Sequence, residues 1–488
     1  MNNLTVKRRE IAWLALGCIL VMSAYLIPGA LSGNSGFPLD DAWIHQTYAR
    51  NLATFHQWAY FPGNTTNGST APLWTFILSV GYFFNLPYLQ WAYFCGGVFL
   101  FGTGFTARVL LNELSPRLNW LTFAGALMLT GEWHLVWASA SGMETIFYAF
   151  CVVVLFLMTV LKKKNWLVMG LLVGLMIWIR PDAVTLAGPL ALILVLSKES
   201  QKEKALHSAY FLTGVLIFFI AYLLFNKSFS GSWMPNTFYA KQAEYAAMLD
   251  ENWFLRFGLV AFQPIIGGGA LLLPGLVYIL IKSYRLRAWT GLIWFTWWLG
   301  YGILYASLLP VAYQHGRYQM PAMPVFWILG LWGTIEIISM YWRKKKWAVP
   351  VKAWGISILA IWAAFLILGA RAYTVDTSII QTEMVTTAKW IATSTPPDAV
   401  IAAHDIGALG YFGKHKLIDL AGLVTPDVIA IIRNEKELAN YLDTHGADYL
   451  MTFPGWYQDL PSGKAVTFEP GEQPDSDPMM VYVWKSRK

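Results

Sequence analysis

The chain has 488 residues, of which 56% are hydrophobic, 16% aromatic and only 13% charged, and it carries 25 tryptophans. Soluble domains hold about 25% charged residues, so this composition excludes an ordinary soluble domain, and it also excludes a disordered chain. The mean hydropathy of +0.46 and the many aromatic residues are typical of an integral membrane protein with aromatic belts at its two interfaces.

The net charge of +7 is distributed unevenly along the chain. Residues 1–375 contain 26 Lys and Arg against 13 Asp and Glu, whereas residues 376–488 contain 9 against 15. The basic residues form short clusters between apolar runs, which argues against a nucleic-acid-binding protein. We therefore expect the two parts of the chain to face different surroundings.

Apolar runs long enough to cross a bilayer, about 20 residues each, recur throughout the first 375 residues. The first follows Lys7, Arg8 and Arg9 and lacks the cleavage site of a secretory signal peptide. The apolar segment 72–86 is expected to be interfacial or re-entrant, because this choice places every basic cluster on one side. We then expect eleven spans, at residues 11–31, 88–111, 118–140, 145–161, 165–180, 183–197, 208–226, 256–282, 289–309, 322–341 and 353–371.

The basic clusters also predict the orientation. They include Lys162–Lys164 and Arg343–Lys346, and the positive-inside rule places them, with the N-terminus, in the cytoplasm and the C-terminus outside. The unusual polar segments then all fall on the outer face, which indicates a site there. These segments are residues 40–41, 141–144, 180–182, 227–253 and 315–318.

The pattern changes after residue 375. Residues 376–394 predict an amphipathic helix that leads out of the membrane, and residues 434–446 predict a charged helix closed by Gly446. Short apolar runs lie around them, at residues 399–403, 416–420, 448–453 and 479–484. The fold class is therefore a polytopic α-helical membrane domain at 1–375, with its first outer loop at 32–87, followed by a small extracytoplasmic α/β domain at 376–488.

Asp40 and Asp41 open the first outer loop, just beyond the first span. Carboxylates so close to the bilayer are costly to desolvate unless they are paired or used. One interpretation is that either serves as a general base. The other is that one of them caps the helix predicted from residue 42 onward, which has the pattern of an interfacial helix. Both interpretations hold if one aspartate caps while its neighbour acts.

Three more charged residues lie where the chain turns at the outer face. Glu144 suits the N-terminus of a helix, where the helix dipole stabilises a carboxylate. Arg180 and Asp182 are placed to pair with each other around Pro181, which suits a first helical turn. Either acid is alternatively a candidate for binding an acceptor hydroxyl.

His315, Arg317 and Tyr318 lie between two spans on the outer side, and Lys241 lies on the same side. The forked donors and fixed charge of an arginine suit a phosphate group. The alternative interpretation is an arginine that snorkels at the interface beside a tyrosine of the aromatic belt.

Several function classes have no support in the sequence. We find no charged residue near the middle of a span, whereas proton and ion transporters usually carry one. The chain has no P-loop, no GxGxxG after a strand and no HExxH. Its three cysteines, Cys18, Cys95 and Cys151, lie in apolar runs, so we expect neither disulfides nor a thiolate metal site.

Taken in order, these segments resemble the GT-C superfamily of membrane glycosyltransferases over nearly the whole chain. The resemblance is carried by LDDAWIHQTYARNL (39–52), NGSTAPLW (67–74), SGMET (141–145), RPDA (180–183), PNTFYAK (235–241), GRYQMPAMP (316–324), DIGALGYFG (405–413) and IDLAGL (418–423). The combination looks most similar to bacterial members related to the mycobacterial terminal arabinofuranosyltransferase.

The resemblance implies an inverting transfer of a sugar, with a pentosyl or arabinofuranosyl group as one candidate, from a polyprenyl-phosphate donor to an acceptor hydroxyl. It implies a base early in the first outer loop, which maps onto Asp40 or Asp41, with Asp40 slightly favoured. A phosphate leaving group needs positive charge rather than an acid, and Arg317, Tyr318, His315, Lys241 and Arg180 are the candidates for it. The expected location is the outer face of a bacterial cytoplasmic membrane, in cell-envelope assembly.

The remaining expectations concern the acceptor and a metal. The candidates for acceptor contacts are Glu144, Asp182, Asn236, Tyr239 and Asp405, the last beside His404. The acceptor itself is a glycan, a lipid or a protein. The sequence establishes no cofactor; some superfamily members use a divalent metal and others do not, and Asp40, Asp41 and His56 or His315 are available for one.

Two other classes of function stay open at this level. One is a transporter of lipid-linked sugars, which the lack of charge within the spans disfavours. The other is a non-catalytic scaffold of envelope assembly, which has no need of Asp40, Asp41 and Arg317. A pocket that holds these three residues within reach of one another favours the enzyme.

Overall fold

The computed structural model describes residues 7–63, 65–161, 164–471 and 478–485; Lys162 and Lys163, part of one basic cluster, lie outside them. The described part is mostly helical, with a small sheet near the C-terminus. The helices before residue 200 are α1 (Arg8–Leu31), α2 (Asp41–Phe55), α3 (Pro72–Phe83), α4 (Tyr88–Leu114), α5 (Asn119–Thr130), α6 (Trp133–Ala140), α7 (Thr145–Val160), α8 (Trp166–Ile177) and α9 (Ala187–Val195).

The later helices include the longest ones of the described chain. They are α10 (Gln201–Ser230), α11 (Asn236–Glu244), α12 (Trp253–Ala261), α13 (Leu273–Arg285), α14 (Trp289–Leu308), α15 (Tyr313–Gly316), α16 (Met323–Tyr341), α17 (Ala348–Ile379), α18 (Thr386–Ser394), α19 (Gly407–Phe412) and α20 (Glu435–Thr444). Shorter turns are the 3-10 segments Pro181–Leu186, Tyr245–Asp250, Gln263–Ile265, Gly268–Leu272, Met320–Ala322 and Pro426–Ala430, and the π-helical segment Ile380–Val385.

Five helical runs of the described residues are long and apolar enough to cross a membrane, at Arg8–Leu31, Tyr88–Leu114, Gln201–Ser230, Tyr313–Tyr341 and Ala348–Ser394. A sixth is formed if the pair Trp253–Ile265 and Gly268–Arg285, bent by 84°, is counted as one span. Several other expected spans are shorter helices, such as Trp166–Ile177, whose 12 residues cover only about 18 Å of a hydrocarbon core of about 30 Å. The expected number of eleven spans is therefore not confirmed.

Polar residues and prolines explain why some expected spans are interrupted. The expected span 118–140 divides between α5 and α6 because the Glu132 carboxylate accepts a hydrogen bond from the Leu135 backbone N–H at 3.0 Å and so begins a new helix. The expected span 183–197 begins with the 3-10 turn that follows Arg180, where Pro181 supplies no N–H.

Helix α2 is largely buried inside the protein. Most of its residues are buried, including polar ones such as His45, Gln46 and Thr47. It packs between α3 and α19, and Asp41 is its first residue. The prediction of a helix after Asp40 and Asp41 is confirmed. Neighbouring elements cover most of this helix, and its interfacial placement stays a prediction.

The C-terminal segment folds into a five-stranded sheet in the order β2-β1-β3-β5-β4. The strands are β1 (Val400–Ala403), β2 (Lys416–Asp419), β3 (Tyr449–Thr452), β4 (Ala465–Phe468) and β5 (Met480–Val483). Strands β1, β2 and β3 are parallel, and β5 pairs antiparallel with β3 and β4. Four strands and α20 confirm the sequence prediction. The sequence did not predict β4, a short and largely exposed edge strand.

The two faces of the sheet pack against different partners. Ile401 and Ala403 of β1 belong to the core of the helical body, whereas Ala402 belongs to a second core with Leu438 and Leu442 of α20. This alternation follows from the two-residue period of a strand. One helical run, Ala348–Ser394, crosses the proposed boundary at residue 375 and leads directly to the sheet. The sheet is thus held against the helical body by a continuous helix and a shared core.

A close contact between α13 and α16 allows a test of the helical packing. A Cβ atom built on Gly333 would lie 1.8 Å from the Gly275 carbonyl oxygen, so Gly333→Ala forces the two helices apart. We expect the variant to lose about 1–3 kcal/mol of stability, as overpacked cores do, measured as a lower thermal unfolding midpoint in detergent. Gly300→Ala on α14, which meets no atom within 4 Å, is the matched control; equal midpoints for both variants would contradict this packing.

Candidate active site

Three sequence segments that lie far apart in the chain meet at the start of α2. Asp41 and His45 stand one helical turn apart, so their side chains share a face of α2. The His45 Nδ1 atom lies 3.1 Å from both Ser69 Oγ and Thr75 Oγ1. On its other side, His45 Nε2 lies 3.7 Å from Glu144 Oε2. Buried His45 therefore connects the residues 39–52, 67–74 and 141–145 in one site.

Asp41 is held by two cations. Its Oδ2 atom lies 2.5 Å from Arg317 Nη2 and 3.6 Å from Lys241 Nζ. Both cations also donate hydrogen bonds to the Tyr318 hydroxyl oxygen, at 3.1 Å and 2.9 Å. Burial by itself would raise the pKa of Asp41, but the charges of Lys241 and Arg317 outweigh it and hold this pKa well below its usual range. Asp41 is therefore an ionised carboxylate.

The guanidinium of Arg317 has unused donors. The side chain is only 9% exposed, yet its Nε and Nη1 atoms have no hydrogen-bond partner among the described residues. Buried polar groups in native structures nearly always have a partner, so such orphaned donors require an explanation. A bound anion would supply one, because a guanidinium binds phosphate oxygens through two parallel hydrogen bonds.

Asp40 has a different role from its neighbour. Its two carboxylate oxygens accept hydrogen bonds from the Gly407 and Ala408 backbone N–H groups, at 2.6 Å and 2.7 Å. These groups belong to the first turn of α19, so Asp40 joins α2 to the C-terminal segment. A Cβ atom on Gly407 would lie 2.0 Å from the Asp40 carbonyl oxygen, and only glycine fits there. Burial raises the pKa of Asp40 to about 6, although both N–H groups oppose the shift.

A first cavity of about 380 Å³ opens on one side of Asp41. Its polar end holds Arg180, whose guanidinium lies 3.2 Å from Asp182 Oδ2 and 3.5 Å from Glu144 Oε1. The remaining oxygens, Glu144 Oε2 and Asp182 Oδ1, are buried without a hydrogen-bond partner in the described part of the chain. The rest of the lining is mostly apolar and includes the exposed side chains of Val184, Phe238 and Leu308.

A second cavity of about 610 Å³ lies between the helical body and the sheet. Here His404 contacts the Tyr457 hydroxyl through Nδ1 at 2.8 Å and Glu244 Oε1 through Nε2 at 3.3 Å. Burial and the charge of Asp40 raise the pKa of Asp405 well above its ordinary value, and Asp405 Oδ2 is buried with no partner among the described residues.

The two cavities share one wall. The five residues that line both are Asp41, Ile44, Lys241, Arg317 and Leu423. The Asp41 carboxylate and its two cations therefore stand where the cavities meet. A reaction between a group bound in one cavity and a group bound in the other would take place at this point.

Some candidate residues of the sequence analysis do not reach this site. His315 Nε2 lies 2.7 Å from Asp376 Oδ2 instead, in a turn where Gln314 and His315 have positive φ. The Asn236 amide donates to the Leu423 carbonyl oxygen at 3.2 Å, and Tyr239 is 39% exposed beside Phe238. None of His315, Asn236 and Tyr239 lines either cavity, so their contacts with substrate stay predictions.

The candidate metal ligands also lie apart. His56 directly follows α2 and lies about 22 Å along the helix axis from Asp41. His315 pairs with Asp376. Both carboxylate oxygens of Asp40 already accept hydrogen bonds from backbone N–H groups of α19. Within residues 7–63, 65–161, 164–471 and 478–485, no group of three or more His, Cys, Asp and Glu side chains is arranged to hold a metal ion.

The sequence analysis missed two residues that belong to the site, His45 and Glu244. Both follow a predicted site residue at helical spacing: His45 lies four positions after Asp41, and Glu244 lies three positions after Lys241. Residues at this spacing share a helix face. Applying that rule to the two segments would have found them.

Comparisons with known proteins agree with this architecture. A family model described as a domain of unknown function (DUF8728) matches residues 375–482, and a comparison with curated proteins returned no match. The chain is similar to the structure of ArnT from Cupriavidus metallidurans bound to undecaprenyl phosphate, with a TM-score of 0.62 and 12% identity over 97% of this chain and 98% of that one.

Two further solved structures have a similar fold. The archaeal oligosaccharyltransferase AglB from Archaeoglobus fulgidus, in complex with an inhibitory peptide and a dolichol-phosphate, has a TM-score of 0.60 and 9% identity over 91% of this chain and 69% of that one. Arabinofuranosyltransferase AftD from Mycobacteria has a TM-score of 0.52 and 13% identity over 99% of this chain and 40% of that one. The chain therefore has the fold of the GT-C membrane glycosyltransferases, and the resemblance inferred from the sequence is confirmed at the level of fold.

The raised pKa of Asp40 predicts a pH dependence of stability. This carboxyl ionises near 3.8 in the unfolded chain but at about 6 in the folded protein. Between these values the folded state binds a proton that the unfolded state does not, so stability present at low pH is lost as the pH rises through about 6. We expect the thermal unfolding midpoint of Asp40→Asn to fall less than that of wild type between about pH 4 and about pH 7.

The matched control for Asp40→Asn is Asp427→Asn, which alters an exposed carboxylate in a 3-10 turn. It should keep the pH dependence of wild type. The same slope in all three proteins would show that Asp40 is not the buried carboxyl described here.

Proposed function

We propose that this protein is an inverting glycosyltransferase that moves a sugar from a polyprenyl-phosphate donor to an acceptor hydroxyl. The observation that carries the proposal is the position of the Asp41 carboxylate, which stands between two cavities and beside two cations. Such a residue can take a proton from a group in one cavity while the cations bind an anion in the other.

The first cavity suits the donor. Its apolar lining fits the polyprenyl chain, and its opening among the exposed side chains of Val184, Phe238 and Leu308 would admit that chain from the lipid. The free donors of Arg317, with Lys241 beside them, fit the phosphate. The orphaned oxygens of Glu144 and Asp182 would then accept hydrogen bonds from the sugar hydroxyls. This assignment makes Glu144 and Asp182 contacts of the donor sugar, whereas the sequence had suggested the acceptor.

The chemical step follows from these positions. Asp41 takes the proton of the acceptor hydroxyl while the hydroxyl oxygen attacks the anomeric carbon. The bond from that carbon to the phosphate oxygen breaks, and polyprenyl phosphate leaves with the electron pair, so the anomeric configuration inverts. Arg317 and Lys241 stabilise the negative charge of the leaving phosphate, and the proton on Asp41 passes to solvent.

Donor binding would also make Asp41 a better base. Without donor, Arg317 and Lys241 hold the pKa of Asp41 well below its usual range. A phosphate that binds these cations competes with Asp41 for them and adds a negative charge nearby. Both effects raise the pKa of Asp41, and general-base catalysis becomes more efficient as the pKa approaches the working pH.

We further propose the membrane setting. The protein would lie in the bacterial cytoplasmic membrane, with the N-terminus in the cytoplasm and the domain at 376–488 outside, which places both cavities at the outer face for cell-envelope assembly. The likeness to AftD supports a pentosyl donor, with arabinofuranosyl as the first sugar to test.

The decisive activity test compares wild type with Asp41→Asn in lipid nanodiscs. A panel of polyprenyl-phosphate sugars would be offered with candidate acceptors, and release of polyprenyl phosphate would be measured. We expect Asp41→Asn to slow release by roughly 10²–10⁴-fold, the usual effect of losing a general base. Asp427→Asn is the control and should keep wild-type turnover; turnover of Asp41→Asn at the wild-type rate would exclude Asp41 as the base.

Binding of undecaprenyl phosphate gives a second test, because Asp41 and the donor phosphate compete for the same cations. We expect Asp41→Asn to bind undecaprenyl phosphate more tightly than wild type and Arg317→Ala to bind it more weakly, each by roughly tenfold or more. Arg343→Ala, an exposed arginine beyond the opposite end of α16, should bind as wild type does. Weaker binding in Asp41→Asn would contradict the competition.

A further inference from the structure

We infer that the segment matched by the domain of unknown function binds a carbohydrate acceptor, at the carboxyl ends of its three parallel strands. This inference rests on the proposed glycosyl transfer and names the class of its second substrate. The acceptor site is the second cavity, which has its own volume of about 610 Å³, within the range of roughly 300–1,000 Å³ typical of small-molecule sites.

The first step is topological. Strands β1, β2 and β3 run parallel, so their carboxyl ends meet at one edge of the sheet. The residues that follow each strand line the second cavity: His404 and Asp405 after β1, Ala421 after β2, and Trp456 and Tyr457 after β3. Ligands of open α/β sheets bind in the crevice outside the carboxyl ends of the strands. The C-terminal sheet thus presents its binding edge to the Asp41 carboxylate.

The second step concerns the chemistry of this lining. Trp456 is 48% exposed at the cavity and packs on Phe453 and His404, so its ring is supported from behind and partly free. Asp405 offers a buried oxygen that has no partner among the described residues, and Arg433 adds a donor. An aromatic face beside charged acceptors and donors suits a sugar ring, whose C–H face packs on the aromatic ring while its hydroxyls bond to the charged groups.

The same features disfavour the other acceptor classes. An anionic acceptor would lie against the Glu244 carboxylate, while the cations of the shared wall, Lys241 and Arg317, are already engaged by Asp41. A peptide bound by strand addition would pair with an edge strand; the edges of the described sheet are β2 and β4, whereas the cavity lies at the strand ends. A lipid acyl chain would have to desolvate the charged lining. A neutral, hydroxyl-rich acceptor meets none of these costs.

The position of the cavity also serves the reaction. Asp41 belongs to its wall, so a hydroxyl of a sugar that packs on Trp456 faces the base from the side opposite the donor. The hydrogen bonds between Asp40 and α19 fix the distance between α2 and the loop that carries His404 and Asp405. The sheet and the base are therefore parts of one acceptor site.

The test uses the full chain in lipid nanodiscs and direct binding measurements. The probes are neutral linear oligosaccharides of arabinose, mannose, galactose, glucose and N-acetylglucosamine, a set of capped neutral peptides, and undecaprenyl phosphate. We expect at least one oligosaccharide series to bind saturably to wild type. Trp456→Ala should weaken that binding roughly tenfold, as truncation of an aromatic anchor does, while Trp456→Phe, which keeps an aromatic face, should retain most of it.

Trp347→Ala is the matched control, because Trp347 is 47% exposed but lies at the other end of α17, about 48 Å along the helix axis from Ile379. It should bind oligosaccharides as wild type does. All variants should bind undecaprenyl phosphate equally, which shows that Trp456→Ala is folded and that the donor site is intact.

The inference is overturned if no oligosaccharide binds, if Trp456→Ala binds as tightly as wild type, or if the peptides bind instead and depend on Trp456. Failure of the proposed function has a different signature, which is the absence of undecaprenyl phosphate binding and of sugar transfer in wild type. The two failures are therefore distinguished in the same samples.

Discussion

The site depends on the ion cluster in which Arg317 and Lys241 hold the Asp41 carboxylate. A carboxylate and two cations would be costly to bury separately, but together they compensate one another at the boundary of two cavities. The cluster also links distant parts of the chain, since Asp41 begins α2, Lys241 lies on α11 and Arg317 precedes α16. In the proposed mechanism, a donor phosphate that binds Arg317 would displace Asp41, which would then be free to accept a proton. The same set of contacts would account for both the resting state and the proposed step.

A second contact places the C-terminal sheet in this arrangement. Asp40 bonds to the first turn of α19, and Gly407 permits the close approach of the two backbones. Adjacent aspartates consequently have separate roles, because successive residues at a helix start point in different directions. Asp40 fixes the sheet relative to α2, while Asp41 faces the cavities. The residues that follow β1, β2 and β3 line the second cavity beside Asp41, so the proposed reaction would make the segment of unassigned function part of the reaction centre.

The sequence predicted the class of protein, the order of the site segments and most of the sheet. It could do so because the composition and the spacing of apolar residues show which segments are buried. It did not predict the number of continuous spans, since a single cap such as Glu132 or a turn such as Pro181 interrupts an apolar run while the mean hydropathy of the run stays high. It also did not predict that α3 and α19 cover α2, because the pattern of one helix does not name its neighbours. His45 and Glu244 are predictable from helical spacing, because each lies one turn after a charged site residue.

By itself the sequence determined that the chain is rich in apolar helices, and it predicted that polar and charged residues, Asp40, Asp41 and Arg317 among them, gather on one side of them. Only the tertiary structure decided which of these residues lie together. His315, Asn236 and Tyr239 have the right chemistry and the right side, yet each is turned to another partner or to solvent. The reason is physical: residue type and order along a chain fix the available chemistry, whereas reaction requires atoms within a few ångströms of one another, and that distance is set by contacts between segments hundreds of residues apart.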